Sequence, residues 1–332
     1  AVRPSVRAAL EDEDPCVREA AAAACGLLKD DAAADALFEM LGGEQGAAAR
    51  EALRRIPNPT IDARFAEMLA DDKGTNRVMA LEMLMARRYG RVFDLALDKR
   101  LFESGDPALA KTAAAAIRVY APPGCFERLL AFALSVPVSS ADLLAGALSA
   151  ALDEAPERAV CERRIGGVLA WCETPRAPLL TALLATSQGA DALRVLSKRL
   201  ESGDVDVRKD AIRNLGKWNS EASLVPLVLA AKRETDAAAR LLAWRAVVDI
   251  VKRAEKIEDF YQPISAIQQA VWYAPRREEQ VAALQALPLY HPKAWEVEWL
   301  LTKIEEERPE LAEEARAVKA GLVPPFSGLL GR

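Results

Sequence analysis

A short helical pattern recurs along this chain about every 32 residues, and this recurrence constrains the fold more than any other feature. In its clearest copy, residues 204–215, an acidic residue precedes a helix, an arginine falls in the first turn, and alanine and leucine follow at helical spacing. Related copies lie at 14–21, 76–81, 106–114 and 236–243, and weaker ones at 49–53 and 279–283. Such a period predicts a repeat protein, in which each repeat contacts its neighbours.

The interval between copies suits a unit of two helices, since two helices of about 11–14 residues and their turns fill about 32 positions. The gap between the copies at 111 and 208 leaves room for two degenerate copies. Hydrophobic residues make up 51% of the chain but aromatic residues only 6%, so most of the hydrophobic residues are Ala, Leu and Val. Ala and Leu are strong helix formers, and Ala lets helices approach closely. We therefore expect an all-α fold, an α-solenoid of about nine to ten antiparallel helix pairs in a right-handed superhelix.

The polar residues of each copy have a structural interpretation. The acidic residue caps the free N–H groups of the second helix, and proline is tolerated at the first helical position. The arginine is placed to meet the aspartate of its own or of the adjacent turn, which would tie the repeats into a ladder. The residues assigned to this structural ladder are Asp14, Arg18, Asp206, Arg208, Asp236 and Arg240.

The motif D-x-D-V-R-x-x-A-x-x-x-L at 204–215 resembles HEAT repeats, especially the short bacterial kind also seen in phycobilisome lyases. The resemblance covers nearly the whole chain and is weakest between residues 120 and 190. It implies an armadillo-like helical superhelix that presents a surface to protein partners. It does not imply one function, because such arrays serve as scaffolds, as adaptors and in a few enzymes.

The predicted array occupies residues 1–320 as one domain. Regular repeats are expected at 1–120 and 201–250, degenerate repeats at 121–200, and irregular, aromatic-rich repeats with a polar cap at 251–320. Residues 321–332 are expected to form a tail or linker.

Several kinds of chemistry are disfavoured by the sequence. The net charge of −5 argues against nucleic-acid binding over the whole surface. The single histidine, His291, rules out a histidine metal site such as that of the HEAT-like deoxyhypusine hydroxylases. No glycine-rich phosphate loop or nucleophile turn occurs. We therefore expect no catalytic residues, no metal and no cofactor.

The cysteines and the hydropathy bear on location. Five widely spaced cysteines without a C-x-x-C motif suit a reducing compartment. The sequence contains no run of eighteen apolar residues, so no transmembrane helix is predicted. We expect a cytoplasmic protein. Because the chain begins without methionine, we also expect a fragment or processed form of a longer bacterial protein, from which a signal peptide could have been removed.

Two surfaces are candidate binding sites. If the second helices line a concave groove, as in HEAT-like solenoids, then Arg55, Lys209, Arg213, Trp244 and Arg245 share that groove, which becomes basic toward the C-terminus. The second surface is an aromatic patch of Trp272, Tyr273, Trp295 and Trp299. Its alternative interpretation is a bulky core that seals the end of the array.

The function predicted from these features is that of a non-catalytic scaffold or adaptor that binds a protein or acidic peptide in the concave groove. One alternative is an enzyme of DNA-glycosylase or lyase type that uses a carboxylate in the groove. Another is a carbohydrate-associated module that uses the C-terminal aromatic residues. The sequence does not specify an oligomeric state.

Overall fold

The computed structural model describes residues 2–72, 74–171, 175–253 and 261–322, with the side chains of 171 and 291–294 left out. The regular elements in these ranges are α-helices and short 3-10 helices, with no β-strand among them. The predicted all-α solenoid is confirmed, and the helices pair in the predicted helix–turn–helix manner. The chain divides into two compact units, residues 1–154 and 155–332, and each contains five helix pairs in its described part. The predicted tail lies outside the described residues beyond Leu322.

The described residues of the first unit form twelve α-helices in five pairs. In chain order they are α1 (Val2–Ala8) with α2 (Pro15–Leu28), α3 (Ala34–Glu39) with α4 (Gly46–Arg55), α5 (Pro59–Ala70) with α6 (Arg77–Ala86), α7 (Val92–Ala96) and α8 (Lys99–Glu103) with α9 (Pro107–Tyr120), and α10 (Phe126–Ala133) with α11 (Val138–Ala141) and α12 (Ala145–Asp153). The 3-10 helices are Ala9–Glu11, Asp31–Ala33, Met40–Gly42 and Asp142–Leu144.

The second unit repeats the arrangement, with ten α-helices in the part that the structure describes. They are α13 (Arg158–Trp171) with α14 (Ala177–Ser187), α15 (Ala190–Arg199) with α16 (Val205–Leu215), α17 (Leu224–Arg233) with α18 (Ala237–Arg253), α19 (Tyr261–Tyr273) with α20 (Arg277–Leu284), and α21 (Ala294–Glu307) with α22 (Ala312–Gly321). Its 3-10 helices are Glu221–Ser223, Leu287–Lys293 and Pro309–Leu311. We call the first member of each pair the first helix and the other member the second helix.

Within each unit the second helices stack on one another: α2 on α4, α4 on α6 and α6 on α9 in the first unit, and α14 on α16, α16 on α18, α18 on α20 and α20 on α22 in the second. Small residues allow this close approach. A Cβ added at Gly26 of α2 would lie 2.7 Å from the Cα of Ala52 in α4, and Ala22 and Ala49 are completely buried. The alanine-rich composition is therefore used at the contacts between repeats.

The acidic residues before the second helices act as N-caps. Asp14 accepts a hydrogen bond from the N–H of Cys16 at 2.8 Å, and Asp236 accepts one from Ala239 at 2.8 Å. In the copy at 204–215 the capping residue is Asp204, whose side chain accepts from the N–H of Asp206 at 2.8 Å. Asp206 is exposed and lies in the first turn, where a negative charge favours the helix dipole.

The arginines form a ladder, but their partners differ from those predicted. Arg18 donates to the carbonyls of Asp12 and Glu13 in its own turn and to the amide oxygen of Gln45 in the next repeat. Arg208 donates to the corresponding carbonyls, of Ser202 and Gly203, and pairs with Glu234 of the next repeat at 2.7 Å. The predicted pairing with an aspartate is therefore wrong for Arg18 and Arg208, because the aspartate side chain is engaged as the cap and the arginine is left to the carbonyls, whereas Arg77 of another copy does pair with an aspartate, Asp72, at 3.3 Å.

The remaining ladder residues behave differently from Arg208. Asp236 pairs with Lys209 at 3.1 Å, whereas the Nε of Arg240 is buried and has no hydrogen-bond partner among the described residues. The Arg208–Glu234 hydrogen bonds lower the pKa of the Glu234 carboxyl and raise that of the Arg208 guanidinium.

A second set of contacts, which the sequence did not suggest, satisfies carbonyls at the C-terminal ends of helices. A helix leaves its last four carbonyls without internal partners. In this protein a side chain one repeat further on donates to them. The contacts are Arg87 to Leu53 and Ile56, Tyr120 to Met85, Arg253 to Gly216 and Trp218, Tyr290 to Val251, and Arg308 to Val271. We call these contacts the carbonyl ladder.

Candidate functional site

The basic residues predicted to line the groove lie on second helices, where most of them are paired. The Nζ of Lys209 lies 3.1 Å from a carboxylate oxygen of Asp236, and the Nε of Arg245 lies 2.8 Å from one of Glu279. Arg213 is exposed and has no ion-pair partner among the described residues. The positive charge expected on this face is therefore largely compensated within the chain.

Trp244 is not available to a ligand, and its assignment to the groove is corrected. Its side chain is completely buried in α18, which packs against α16 and α20. Adjacent residues on a helix point about 100° apart, so Trp244 faces the neighbouring helices while Arg245 faces outward. Arg55 belongs to the first unit, far along the chain from the others, and pairs with Glu51 at 2.7 Å. Hydrogen bonds from Arg54 and Arg55 lower the pKa of Glu51 to about 2.

The predicted aromatic patch lies on α19 and α21, which are first helices. Trp295, Trp299 and Tyr273 are 70%, 56% and 55% exposed, while Trp272 is half-buried. The ammonium of Lys303 lies 5.1 Å from the ring centre of Trp299 and 5.8 Å from that of Trp272, which joins these two rings through one cation.

Tyr273 belongs to a neighbouring cluster that reaches α17. The ammonium of Lys232 lies 4.5 Å from the centre of the Tyr273 ring and donates a hydrogen bond to Gln269 at 3.0 Å. The aromatic surface therefore continues from α21 across α19 to α17.

Exposed apolar residues in the second unit are concentrated on first helices. Among its described residues, every large exposed hydrophobic side chain lies on α13, α17, α19 or α21, or on the 3-10 helix that leads into α21. These residues are Val160, Val225, Leu229, Tyr261, Tyr273, Leu289, Trp295 and Trp299. We call this surface the first-helix face. Large exposed apolar surface is typical of an interaction site, and aromatic residues are enriched at the centres of protein interfaces.

Two grooves flank α17 on this face. The wider groove, between α15 and α17, has a volume of about 790 Å³, and the narrower one, between α17 and α19, about 390 Å³. Val225 and Leu229, one turn apart on α17, line both grooves, so they form a ridge between them. We call these two residues the α17 ridge. Sequence reasoning missed it because valine and leucine at helical spacing are the usual sign of a buried face.

Side chains suited to covalent or metal chemistry are not brought together in the described ranges. No group of three or more His, Cys, Asp and Glu side chains could hold a metal ion there. Cys25 and Cys125 are buried, and burial raises the pKa of both thiols, which is opposite to the shift that activates a cysteine. The side chain of His291 and the whole of Cys172 lie outside the described residues.

Among the helices that the structure describes, none combines the length and apolar character needed to cross a membrane.

The stacked helix pairs place the chain among the α-solenoid proteins. Residues 1–56 match the family model described as HEAT repeats. HEAT-repeat arrays generally act as scaffolds for protein interaction. A comparison with curated proteins found no match.

Among solved structures, the chain is similar to the crystal structure of an engineered protein. The two are 16% identical over 78% of this chain and all of the other, with a TM-score of 0.26. At that TM-score the similarity says nothing about function.

Proposed function

We propose that this protein is a non-catalytic scaffold that binds a protein partner through the first-helix face of its second unit. The observation that carries the proposal is the concentration of exposed tryptophan, tyrosine, valine and leucine on first helices of that unit. Exposing these residues to water is unfavourable unless a partner covers them, at about 25 cal/mol for each Å² of apolar surface. We also propose that its repeats are of the short bacterial HEAT type and that the protein is cytoplasmic.

The proposal differs in its surface from the groove predicted on the second helices. Pairing of Lys209 and Arg245 and burial of Trp244 leave that face with few residues free to bind. The first-helix face offers aromatic rings instead, held by the Lys232 and Lys303 ammonium groups.

Capture from a native cell extract tests the proposal. The bait is the full chain, and the test variant replaces Tyr273, Trp295 and Trp299 with serine. Because all three are more than half exposed, the variant should keep the wild-type circular dichroism spectrum. Arg213→Glu on the second-helix face is the matched control. We expect proteins captured reproducibly by the wild type to be lost with the serine variant and kept with the control. Retention by the serine variant, with loss on Arg213→Glu, would return the site to the second helices.

A carbohydrate ligand is a second candidate, favoured by one observation. Trp295 and Trp299 lie one helical turn apart with both rings exposed, an arrangement on which sugar rings could stack. A soluble oligosaccharide that quenches tryptophan fluorescence in the wild type, but not in the serine variant, would support this candidate. No described side chains support the alternative of a glycosylase or lyase, and it is not proposed.

A further inference from the structure

We propose that the grooves on either side of the α17 ridge bind an acidic amphipathic helix of a partner protein. The inference rests on the proposed function and specifies the chemistry of the partner. It depends on three properties of the described residues: the shape of the grooves, the apolar ridge between them and the sign of the charges at their edges.

The shape suits a helix. The wider groove lies between α15 and α17, each ten residues long and therefore about 15 Å in length. A helix of about three turns matches that length, with apolar side chains at positions i, i+4 and i+7 directed into the groove. The volume of about 790 Å³ is enough for several such side chains.

The ridge supplies the apolar contact. Val225 and Leu229 are 51% and 46% exposed, although both are residues that normally lie in a core. Leu193 and Pro226 add apolar surface to the wider groove. A docked helix would bury this surface in the way that the first helices bury their other faces against the second helices.

The charges select an acidic partner. Neither α17 nor α19 contains an acidic residue, whereas α17 ends in Lys232 and Arg233, one in each groove. Arg233 is exposed and has no ion-pair partner among the described residues. In the wider groove, Arg194 of α15 pairs with Asp191 and Arg208 of α16 pairs with Glu234. The exposed acid that lines the wider groove is Glu201. The surplus is therefore positive, and it is greatest at the C-terminal end of α17.

A lipid surface fits these observations less well. Cations and aromatic residues together are typical of membrane-binding surfaces, but here the apolar ridge is flanked by recesses that a flat bilayer would leave empty. The most exposed tryptophans lie on α21, which also carries Glu298 and the acidic run 305–307. Those carboxylates would repel an anionic membrane.

A peptide-display selection on the immobilised full chain tests the inference. The probe is a library of random sixteen-residue peptides. We expect enrichment of sequences with apolar residues at i, i+4 and i+7 and a surplus of Asp and Glu. For a fluorescent peptide made from an enriched sequence, Leu229→Glu and Arg233→Glu should each raise the dissociation constant at least about fivefold, as is usual for residues central to an interface. Rising salt should weaken its binding.

Arg213→Glu provides the matched control, since it reverses the same charge on the second-helix face and should leave the peptide's affinity unchanged. Arg233 and Leu229 are both exposed, so their variants should keep the wild-type circular dichroism spectrum. Val225→Glu is the replacement if one of them does not fold.

Three results would overturn the inference: no enrichment, enrichment of basic or non-helical sequences, or binding that the α17 variants leave unchanged. Binding of the full chain to vesicles of phosphatidylcholine and phosphatidylserine, abolished by Arg233→Glu, would also overturn it and assign the face to lipid. These failures are distinguishable from failure of the proposed function. If partner capture still depends on Tyr273, Trp295 and Trp299 while acidic peptides do not bind, the scaffold proposal stands and the acidic helix does not.

Discussion

Replacing Arg87 with alanine should destabilise the first unit more than removing any of its exposed ion pairs. Arg87 follows α6, and its side chain is only 6% exposed. One guanidinium donates to the carbonyls of Leu53, Ile56 and Asn58 and to the carboxylate of Asp62. It therefore joins the end of α4 and the start of α5 to α6.

The size of the effect follows from the groups that lose their partner. A buried polar group left without a hydrogen bond costs about 1–3 kcal/mol, and removal of one partner of a buried ion pair costs about 3–5 kcal/mol. Water that enters the space left by the guanidinium can hydrogen-bond the three carbonyls, so the loss of the Asp62 ion pair, whose carboxylate side chain is 18% exposed, sets the size of the effect. We expect Arg87→Ala to lower the free energy of unfolding by about 3–5 kcal/mol.

Urea unfolding followed by circular dichroism measures this loss, and amide hydrogen exchange locates it. Protection should fall mainly in α4, α5 and α6, because a repeat contacts only its neighbours. Arg87→Lys, which keeps the charge without the planar fork, should recover part of the loss. Arg54→Ala, which removes the exposed pair with Glu51, should leave stability nearly unchanged. Equal losses for Arg87→Ala and Arg54→Ala would refute the reasoning.

Two further predictions concern helix contacts and the carbonyl ladder. Gly26→Ala should destabilise the first unit by about 1–3 kcal/mol, since the new Cβ would lie 2.7 Å from the Cα of Ala52. The control in the same urea assay is Gly42→Ala, whose Cβ would have no atom within 4 Å. Equal stability of the two variants would contradict the expectation. Burial, and then the charge of Glu221, raises the pKa of Tyr290 from 10.0 to about 12. Because this folded-state pKa lies above the unfolded value, the stability contributed by the neutral phenol is complete below pH 10 and is lost as the pH rises toward 12. An alkaline titration of tyrosinate absorbance should show a late phase that Tyr290→Phe removes; superimposable titrations would count against it.

The period and the caps were predictable because they depend on local chemistry. An aspartate that precedes a helix can accept hydrogen bonds only from the N–H groups of that helix's first turn. Asp14, Asp204 and Asp236 therefore indicate helix starts whatever the rest of the chain does. Alanine at close contacts follows from the geometry of helix packing. The helix-pair architecture and the all-α solenoid therefore follow from the sequence alone.

The partners of long side chains were not predictable in the same way. Arg208 was expected to reach an aspartate, but it binds Glu234 from the next repeat and two carbonyls of its own turn. The carbonyl ladder joins residues 31–39 positions apart, such as Arg87 with Ile56 and Tyr290 with Val251. Such distances along the chain become contacts only when the stacking of the repeats is known.

The same limit applies to the candidate site. Trp244 and Trp299 both lie on helices with apolar residues at helical spacing, yet Trp244 of a second helix is completely buried while Trp299 of a first helix is 56% exposed. The sequence determined that this chain forms stacked helix pairs with an aromatic C-terminal region, because helix propensity, capping and apolar period act within a few residues. Only the tertiary structure decided which apolar faces remain uncovered, because burial depends on whether another helix is packed against a face.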